Sequence, residues 1–178
     1  LAAFAQTEPA GILLTWQQDP TTTMTIDWHT LPSDKADHKL NFRKKGETIW
    51  LEVYATEHAF PYSDRKIQRV EITGLDPNSN YEFNVGEFTR TYSFRTMPKK
   101  NDKPIRFAAG GDTSHGEMFG KMNRAVMRYD LDFIVWGGDL AYANGLKENV
   151  GLWHQWFDGI KRDLITPEGR VIPLVLGI

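Results

Sequence analysis

The hydrophobic pattern of this 178-residue chain changes once, near residue 97, and the change separates two kinds of structure. Before it, short runs alternate apolar and polar residues, as in Met24–Trp28 and Tyr81–Val85. Alternation with a period of two is typical of β-strands that bury one face and expose the other. We count seven such runs with turn residues between them. Regularly spaced short strands predict a β-sandwich or a β-barrel.

A turn near residue 77 favours the sandwich. Residues 74–81 read Gly-Leu-Asp-Pro-Asn-Ser-Asn-Tyr, which resembles the corner signature of fibronectin type III domains. Pro77 fixes the turn, and the Tyr81 hydroxyl can bond back to the backbone upstream, as in a tyrosine corner. A simple Asp-Pro turn before a strand is the alternative. The number of strands favours an all-β, immunoglobulin-like or fibronectin III-like sandwich over residues 1–98.

After a polar linker at residues 99–104, the second part of the chain follows a different rhythm. Helical periodicity separates three mainly apolar runs, which are typical of strands buried on both faces. These runs are Ile105–Ala109, which is apolar apart from Arg106, Phe133–Trp136, and Val171–Leu176, which is interrupted only by Pro173. Ser114 and Glu117 have the spacing of a capping box at the start of the first helix. The order β-α-β-α-β predicts parallel strands with right-handed crossovers, so residues 105–178 are expected to form part of an α/β domain.

A glycine pair followed by an aspartate ends each of the first two of these strands, at Asp112 and at Asp139. The carboxyl ends of parallel strands meet at one edge, about 5 Å apart for neighbours, so two ionised carboxylates there need a proton or cations. A pair of metal ions could neutralise both. The sequence has no cysteine, which leaves oxygen and imidazole as ligands. Gly-Asp after a strand is also a common turn in which aspartate caps the next helix, so either block alone would carry little weight.

Both blocks resemble metal-ligand blocks of the calcineurin-like metallophosphoesterases. Residues 138–142 read Gly-Asp-Leu-Ala-Tyr and match the G-D-x-x-Y block of purple acid phosphatases, and Gly111-Asp112 matches the start of their G-D-x-G block. Plant-type and many bacterial members also carry a fibronectin-like domain ahead of the phosphatase domain. The resemblance implies a dinuclear centre of iron with zinc, manganese or a second iron. In it, Asp112 and Tyr142 would bind the ferric ion, Asp139 would bridge the metals, and a metal-bound hydroxide would be the nucleophile.

The sequence departs from this family pattern in two places. Ser114 stands where the subfamily has glycine, and His115 lies one position too late for the D-x-H block of the wider superfamily. A structural role is favoured for His115, while Asn144 could reach the substrate side or simply form a turn. The third block, G-N-H followed by an acidic residue, is expected after Leu176 but is not present in the sequence. We therefore expect this chain to be the N-terminal part of a longer protein and to be inactive alone.

The function implied by the resemblance is metal-dependent hydrolysis of phosphate esters, as in an acid phosphatase. The alternative is a non-catalytic binding module built on the sandwich, with a degenerate phosphoesterase half, to which Ser114 points. The net charge of -2 and the lack of a long basic stripe argue against nucleic acid as a partner. No apolar run approaches the ~20 residues of a membrane helix.

The first residues of the chain bear on where the protein is located. Ala3-Phe4-Ala5 resembles the cleavage end of a signal peptide as readily as an ordinary N-terminus, and it favours a secreted or periplasmic protein. His154 lies in the second helix pattern beside two tryptophans, so packing is favoured over metal binding. The sandwich histidines are likewise expected to be structural or solvated: His29, His38 and His58.

Overall fold

The computed structural model describes residues 8–34, 38–100 and 103–177, which leaves Ala3-Phe4-Ala5 outside the described residues. The first eight strands are β1 (Gly11–Thr15), β2 (Met24–Thr30), β3 (Lys39–Lys44), β4 (Leu51–Tyr54), β5 (Thr56–Ala59), β6 (Lys66–Ile72), β7 (Asn80–Val85) and β8 (Tyr92–Arg95). The later elements are β9 (Phe107–Gly110), α1 (Glu117–Val126), β10 (Phe133–Gly137), a short 3-10 turn (Lys147–Asn149), α2 (Val150–Asp163) and β11 (Leu174–Gly177).

Two antiparallel sheets of four strands each form a β-sandwich, with the strand orders β1-β2-β6-β5 and β4-β3-β7-β8. Burial alternates along β6 and β7 as the sequence predicts, and the inward side chains include the fully buried Trp28, Phe83 and Phe94. The predicted sandwich is confirmed. Strand β5 was missed because all four residues of its Thr-Glu-His-Ala sequence are exposed and none carries a large apolar side chain.

The predicted tyrosine corner is present. The backbone N–H of Asp76 donates a hydrogen bond to the Tyr81 hydroxyl at 2.9 Å, and the Tyr81 ring stacks on Phe94 with ring centroids 5.4 Å apart. Because the ring is buried and its hydroxyl accepts a hydrogen bond from the backbone, the turn after Gly74 is anchored to the sandwich core.

The later strands form a parallel sheet in the order β11-β10-β9, with α1 and α2 as the connections. The fully buried Trp156 and Ile160 of α2 pack with Ile134 of β10 in a second core. One expectation is wrong for β9, which is not buried on both faces, since Phe107 is 56% exposed. In the described sheet β9 pairs only with β10, so it is an edge strand with less cover than the central strand.

The expected capping box at the start of α1 is also wrong. The N-cap residue is Gly116, without a side-chain capping bond, and its φ of -83° and ψ of -173° are those of extended backbone. Since the chain stays extended two residues beyond Ser114, the Ser114 hydroxyl cannot cap the helix from the position that its spacing with Glu117 suggested.

The two halves of the chain share contacts on both sides of the predicted linker. Leu13 of β1 packs against the α/β core, and Lys161 Nζ of α2 donates to the Pro9 carbonyl at 3.0 Å. In return, the Val171 N–H donates to the Ser93 carbonyl at 2.9 Å, and the Val171 side chain lies in the sandwich core. The domain boundaries at residues 98 and 105 stay a prediction, because each hydrophobic core is contacted by a residue from the other half of the chain.

Candidate functional site

The backbone is unusual where β9 and β10 end. Five non-glycine residues in this region have positive φ angles: Asp112 (52°), Asp139 (46°), Ala141 (59°), Tyr142 (57°) and Asn144 (54°). Side chains other than glycine rarely adopt this left-handed conformation, which costs roughly 1–3 kcal/mol at each position. Such residues concentrate at functional sites, because the surrounding structure must hold them there.

A close backbone approach joins the two strand ends. A Cβ atom at Gly111 would lie 2.5 Å from the carbonyl oxygen of Gly137, so this position accepts no side chain without a shift of backbone. Immediately beyond, the Ala141 N–H donates to the Thr113 carbonyl at 2.9 Å, and Thr113 and Leu140 form a parallel bridge. The turns after β9 and β10 therefore run side by side, with Asp112 and Asp139 next to the joined residues.

The structure brings two of the three predicted metal ligands into direct contact. The Tyr142 hydroxyl donates a hydrogen bond to Asp112 Oδ1 at 2.8 Å. This hydrogen bond raises the pKa of the Tyr142 phenol above its ordinary value, and partial burial and the negative charges of Asp112 and Asp139 add to the rise. The two carboxylates and the phenol thus influence one another, and the phenol is held in its protonated form.

Buried residues behind this edge hold it in place. The indole Nε1 of the fully buried Trp156 donates to the buried Thr113 hydroxyl at 3.1 Å, which ties the turn after β9 to α2. A cavity of about 200 Å³ lies on the other side of the turn, with Asp112, Ser114 and Asn123 in its lining. Sequence reasoning missed the Thr113–Trp156 pair, because neither residue type carries a signal for this contact at a separation of 43 positions.

The other two predicted residues do not join the Asp112–Tyr142 pair. His115 is half-buried, and its Nδ1 has no hydrogen-bond partner among the described residues. Asn144 is exposed in the turn that follows Tyr142. His154, as expected, packs rather than converging on this edge, since its Nε2 lies 3.0 Å from Ser63 Oγ of the sandwich.

The donor set at this edge consists of oxygen atoms. In the described ranges, no group of three or more His, Cys, Asp or Glu side chains comes together to hold a metal ion. Two carboxylates and a phenol nevertheless suit a hard cation such as ferric iron once the phenol loses its proton. The residues therefore fit part of a metal site, and the remaining ligands would have to come from outside this set.

Both the sequence and the fold of this chain are similar to known proteins. Residues 9–96 match the family described as "Purple acid Phosphatase, N-terminal domain". The chain is 38% identical over 85 residues to a probable purple acid phosphatase 20 of Arabidopsis thaliana, covering 47% of this chain and 19% of that protein. It is 28% identical over 134 residues to purple acid phosphatase 23 of the same plant, covering 71% of this chain and 28% of the relative.

The fold has a counterpart among solved structures. The structure of purple acid phosphatase PPD1 from yellow lupin (Lupinus luteus) seeds superimposes with a TM-score of 0.70 at 19% identity, over 93% of this chain and 34% of that one. This likeness concerns the fold. The chain spans about a fifth of the length of several curated relatives and about a third of the lupin protein.

Within the described ranges, none of the helices has the length and apolar character to cross a bilayer.

Proposed function

Residues 9–96 belong to the N-terminal domain family of purple acid phosphatases, and from this we propose that the chain is the front part of an exported, metal-dependent phosphoric ester hydrolase. The observation that carries the proposal is the 2.8 Å hydrogen bond between Tyr142 and Asp112, formed at the sheet edge where the turn bearing Asp139 also lies. The three residues that match the family's ligand blocks are therefore close enough to act on one another's charge.

The metal-binding part of the proposal assigns one role to each residue. Asp112 and Tyr142 would hold one metal, ferric by the family resemblance, and Asp139 would bridge it to a second. When bound, such a pair supplies positive charge that stabilises a transferring phosphoryl group and makes water a better nucleophile at neutral pH. No nucleophilic side chain of the protein is required.

The residues of this chain prepare the site in two ways. The Asp112 carboxylate orients the Tyr142 hydroxyl by accepting its hydrogen bond, so the phenol oxygen already lies beside the carboxylate that would share its metal. The glycine at 111 and the left-handed turns fix both strand ends before any ligand arrives, which reduces the conformational entropy lost on binding.

One test of the site uses the 178-residue chain without metal. Replacing Asp112 with asparagine removes the negative acceptor that raises the pKa of Tyr142, so the phenol should ionise at lower pH. Ultraviolet titration of tyrosinate compares the wild type, Asp112→Asn and the control Asp158→Asn, which changes an exposed carboxylate on α2. An unchanged Tyr142 midpoint in Asp112→Asn would contradict the geometry of the site.

The function itself is tested on the protein expressed at the full length of its gene. We expect about two metal ions per chain, iron among them, and hydrolysis of simple phosphate monoesters. A visible phenolate-to-iron absorption band should disappear in Tyr142→Phe and persist in the control Tyr62→Phe, whose ring is 70% exposed on the sandwich. Well-folded protein that takes up no metal when iron and zinc are supplied would refute the enzymatic proposal.

A binding module is the second candidate function. Around the edge strand β4, Ile49, Leu51 and Tyr54 are 72%, 55% and 71% exposed, which is an unusual concentration of large apolar side chains in water. Under this proposal the sandwich binds a partner and the phosphoesterase half is inactive. Full-length protein that binds two metals and hydrolyses esters would favour the first candidate.

A further inference from the structure

An apolar cavity of about 350 Å³ lies between the sandwich and α2. Phe60 and Tyr62, in the turn after β5, line it together with Trp153 and Phe157 of α2. Leu146 also belongs to the lining. The lining carries no charged side chain, so the cavity selects for apolar groups.

The cavity adjoins the proposed metal site through a single turn of chain. Ala143 and Gly145 belong to its lining, and Ala143 directly follows the predicted ligand Tyr142. The Leu146 N–H donates to the Ala143 carbonyl at 3.0 Å, which closes the turn on itself. Consecutive Cα atoms are about 3.8 Å apart, so the cavity lining begins at the backbone next to Tyr142, while the Tyr142 side chain itself is outside the lining.

The walls are preformed by packing of aromatic rings. The rings of Phe60 and Phe157 meet edge to face with centroids 6.1 Å apart, and Trp153 lies 6.3 Å from Phe157. Phe60 is only 7% exposed, so its position is fixed from behind by the sandwich. Tyr62 and Leu146, in contrast, are 70% and 49% exposed and form an apolar mouth.

We propose that this cavity binds an aromatic group belonging to the organic part of the phosphate ester, while the phosphate lies at the edge formed by Asp112, Asp139 and Tyr142. The inference rests on the proposed function and adds a substrate class to it: aryl rather than small alkyl phosphates. Selectivity would then come from contacts between the N-terminal sandwich and the substrate.

Size and lining both favour this occupant. Small-molecule pockets typically enclose about 300–1,000 Å³, whereas a stable protein partner buries about 800 Å² on each side. A volume of about 350 Å³ therefore suits one or two fused rings. Aromatic walls can meet such a ring edge to face, which is worth about 0.5–1.5 kcal/mol beyond the burial of its area.

Binding to the 178-residue chain tests the cavity without catalysis. Titration with 1-naphthol, followed by NMR shifts of the Ala143, Ile67 and Val150 methyl groups, should give saturable binding, while glycerol should give none. Leu146→Asp places a charge at the mouth and should weaken binding of 1-naphthol at least about tenfold, equivalent to about 1.4 kcal/mol. Tyr62→Ser, another exposed position, should weaken it in the same direction.

The matched control is Ile49→Asp, which introduces the same charge at a 72% exposed position on the sandwich outside the cavity lining. Its affinity for 1-naphthol should equal that of the wild type. Absence of binding to the wild type, or equal loss in Leu146→Asp and Ile49→Asp, would overturn the proposal. So would full-length protein in which another segment of the chain fills the cavity and 1-naphthol no longer binds.

Kinetics of the full-length protein separate this proposal from the function on which it rests. Leu146→Asp should raise KM for 1-naphthyl phosphate about tenfold more than it raises KM for glycerol phosphate. Hydrolysis of both esters with no effect of Leu146→Asp would refute the aromatic subsite and leave the phosphatase intact. Binding of 1-naphthol without hydrolysis of any ester would refute the phosphatase and leave an apolar binding site.

Discussion

Acid should weaken the fold of this chain through one buried histidine, His29 of β2. Its side chain is 2% exposed and lies between the rings of Phe60 and Phe157, at centroid distances of 5.3 and 4.4 Å. Burial, the largest cause, and the nearby charges of Arg65 and His154 together lower the pKa of His29 to about 3. The ring is therefore neutral in the folded chain at physiological pH.

The sign and size of the effect follow from linkage. Above pH 6.5 the ring is neutral in both the folded and unfolded states, so stability is fully present. As pH falls below 6.5, the unfolded state takes up the proton first, and stability decreases by about 1.4 kcal/mol per pH unit until the folded pKa is reached. The contribution of His29 is a loss of about 2 kcal/mol by about pH 5 and about 5 kcal/mol by about pH 3.

Other groups at this contact titrate as well. The pKa of His154 is lowered by burial and by Arg65, against the opposing charges of Asp158 and Asp64. Acid should therefore destabilise this side of the molecule through two histidines. His29 dominates the loss, because its ring is the more deeply buried of the two.

Urea denaturation of the 178-residue chain between about pH 7.5 and pH 5 measures the effect. His29→Leu removes the titrating ring and should flatten the pH dependence of unfolding free energy by about 2 kcal/mol over this range. His58→Leu, at an exposed position on β5, is the control and should keep the wild-type slope. Equal slopes for all three proteins would refute the assignment of the acid sensitivity to His29.

Three further substitutions test backbone and hydroxyl contacts. Gly111→Ala should destabilise the fold by about 1–3 kcal/mol, because the added Cβ would press on the Gly137 carbonyl. The control is Gly116→Ala, whose added Cβ meets nothing within 4 Å. Equal melting temperatures for the two variants would contradict the close approach at Gly111. Tyr81→Phe should cost about 1–3 kcal/mol by leaving a backbone N–H without its acceptor. Tyr92→Phe should be neutral or stabilising in urea denaturation, because the buried Tyr92 hydroxyl has no hydrogen-bond partner among the described residues. A larger loss of stability in Tyr92→Phe than in Tyr81→Phe would count against this reasoning.

Local patterns account for what could be predicted about the fold. Alternation along β6 and β7 predicts the sandwich because each strand buries one face, and the Asp-Pro turn predicts the contact made by Tyr81. Strand β5 could not be found in the same way, since pairing with β6 rather than burial makes it a strand. The exposure of Phe107 was missed because a mainly apolar run does not reveal how many neighbouring strands cover it.

Local sequence rules likewise account for only part of the candidate site. The rule that parallel strands end at one edge predicts that Asp112 and Asp139 are neighbours, and the glycine pairs mark where backbone must pass backbone. The hydrogen bond from Tyr142 to Asp112 depends on left-handed backbone that includes Ala141 and Tyr142, residue types for which this conformation is not favoured. These turns are imposed by tertiary contacts, among them the Thr113–Trp156 hydrogen bond, and they lie beyond local sequence reasoning.

The contact between the two halves of the molecule links the acid sensitivity to the proposed substrate cavity. Phe60 and Phe157 line that cavity and also pack against the His29 ring, so one pair of side chains forms a wall for both. A ligand that packs against these rings stabilises the arrangement in which His29 is neutral. Protonation of His29 opposes the same arrangement, because a charged ring cannot remain buried between two phenyl groups without a partner. By linkage, binding of a ligand in the cavity and protonation of His29 therefore oppose each other: each lowers the affinity for the other. This coupling acts through Phe60 and Phe157, because the cavity lining itself contains no histidine.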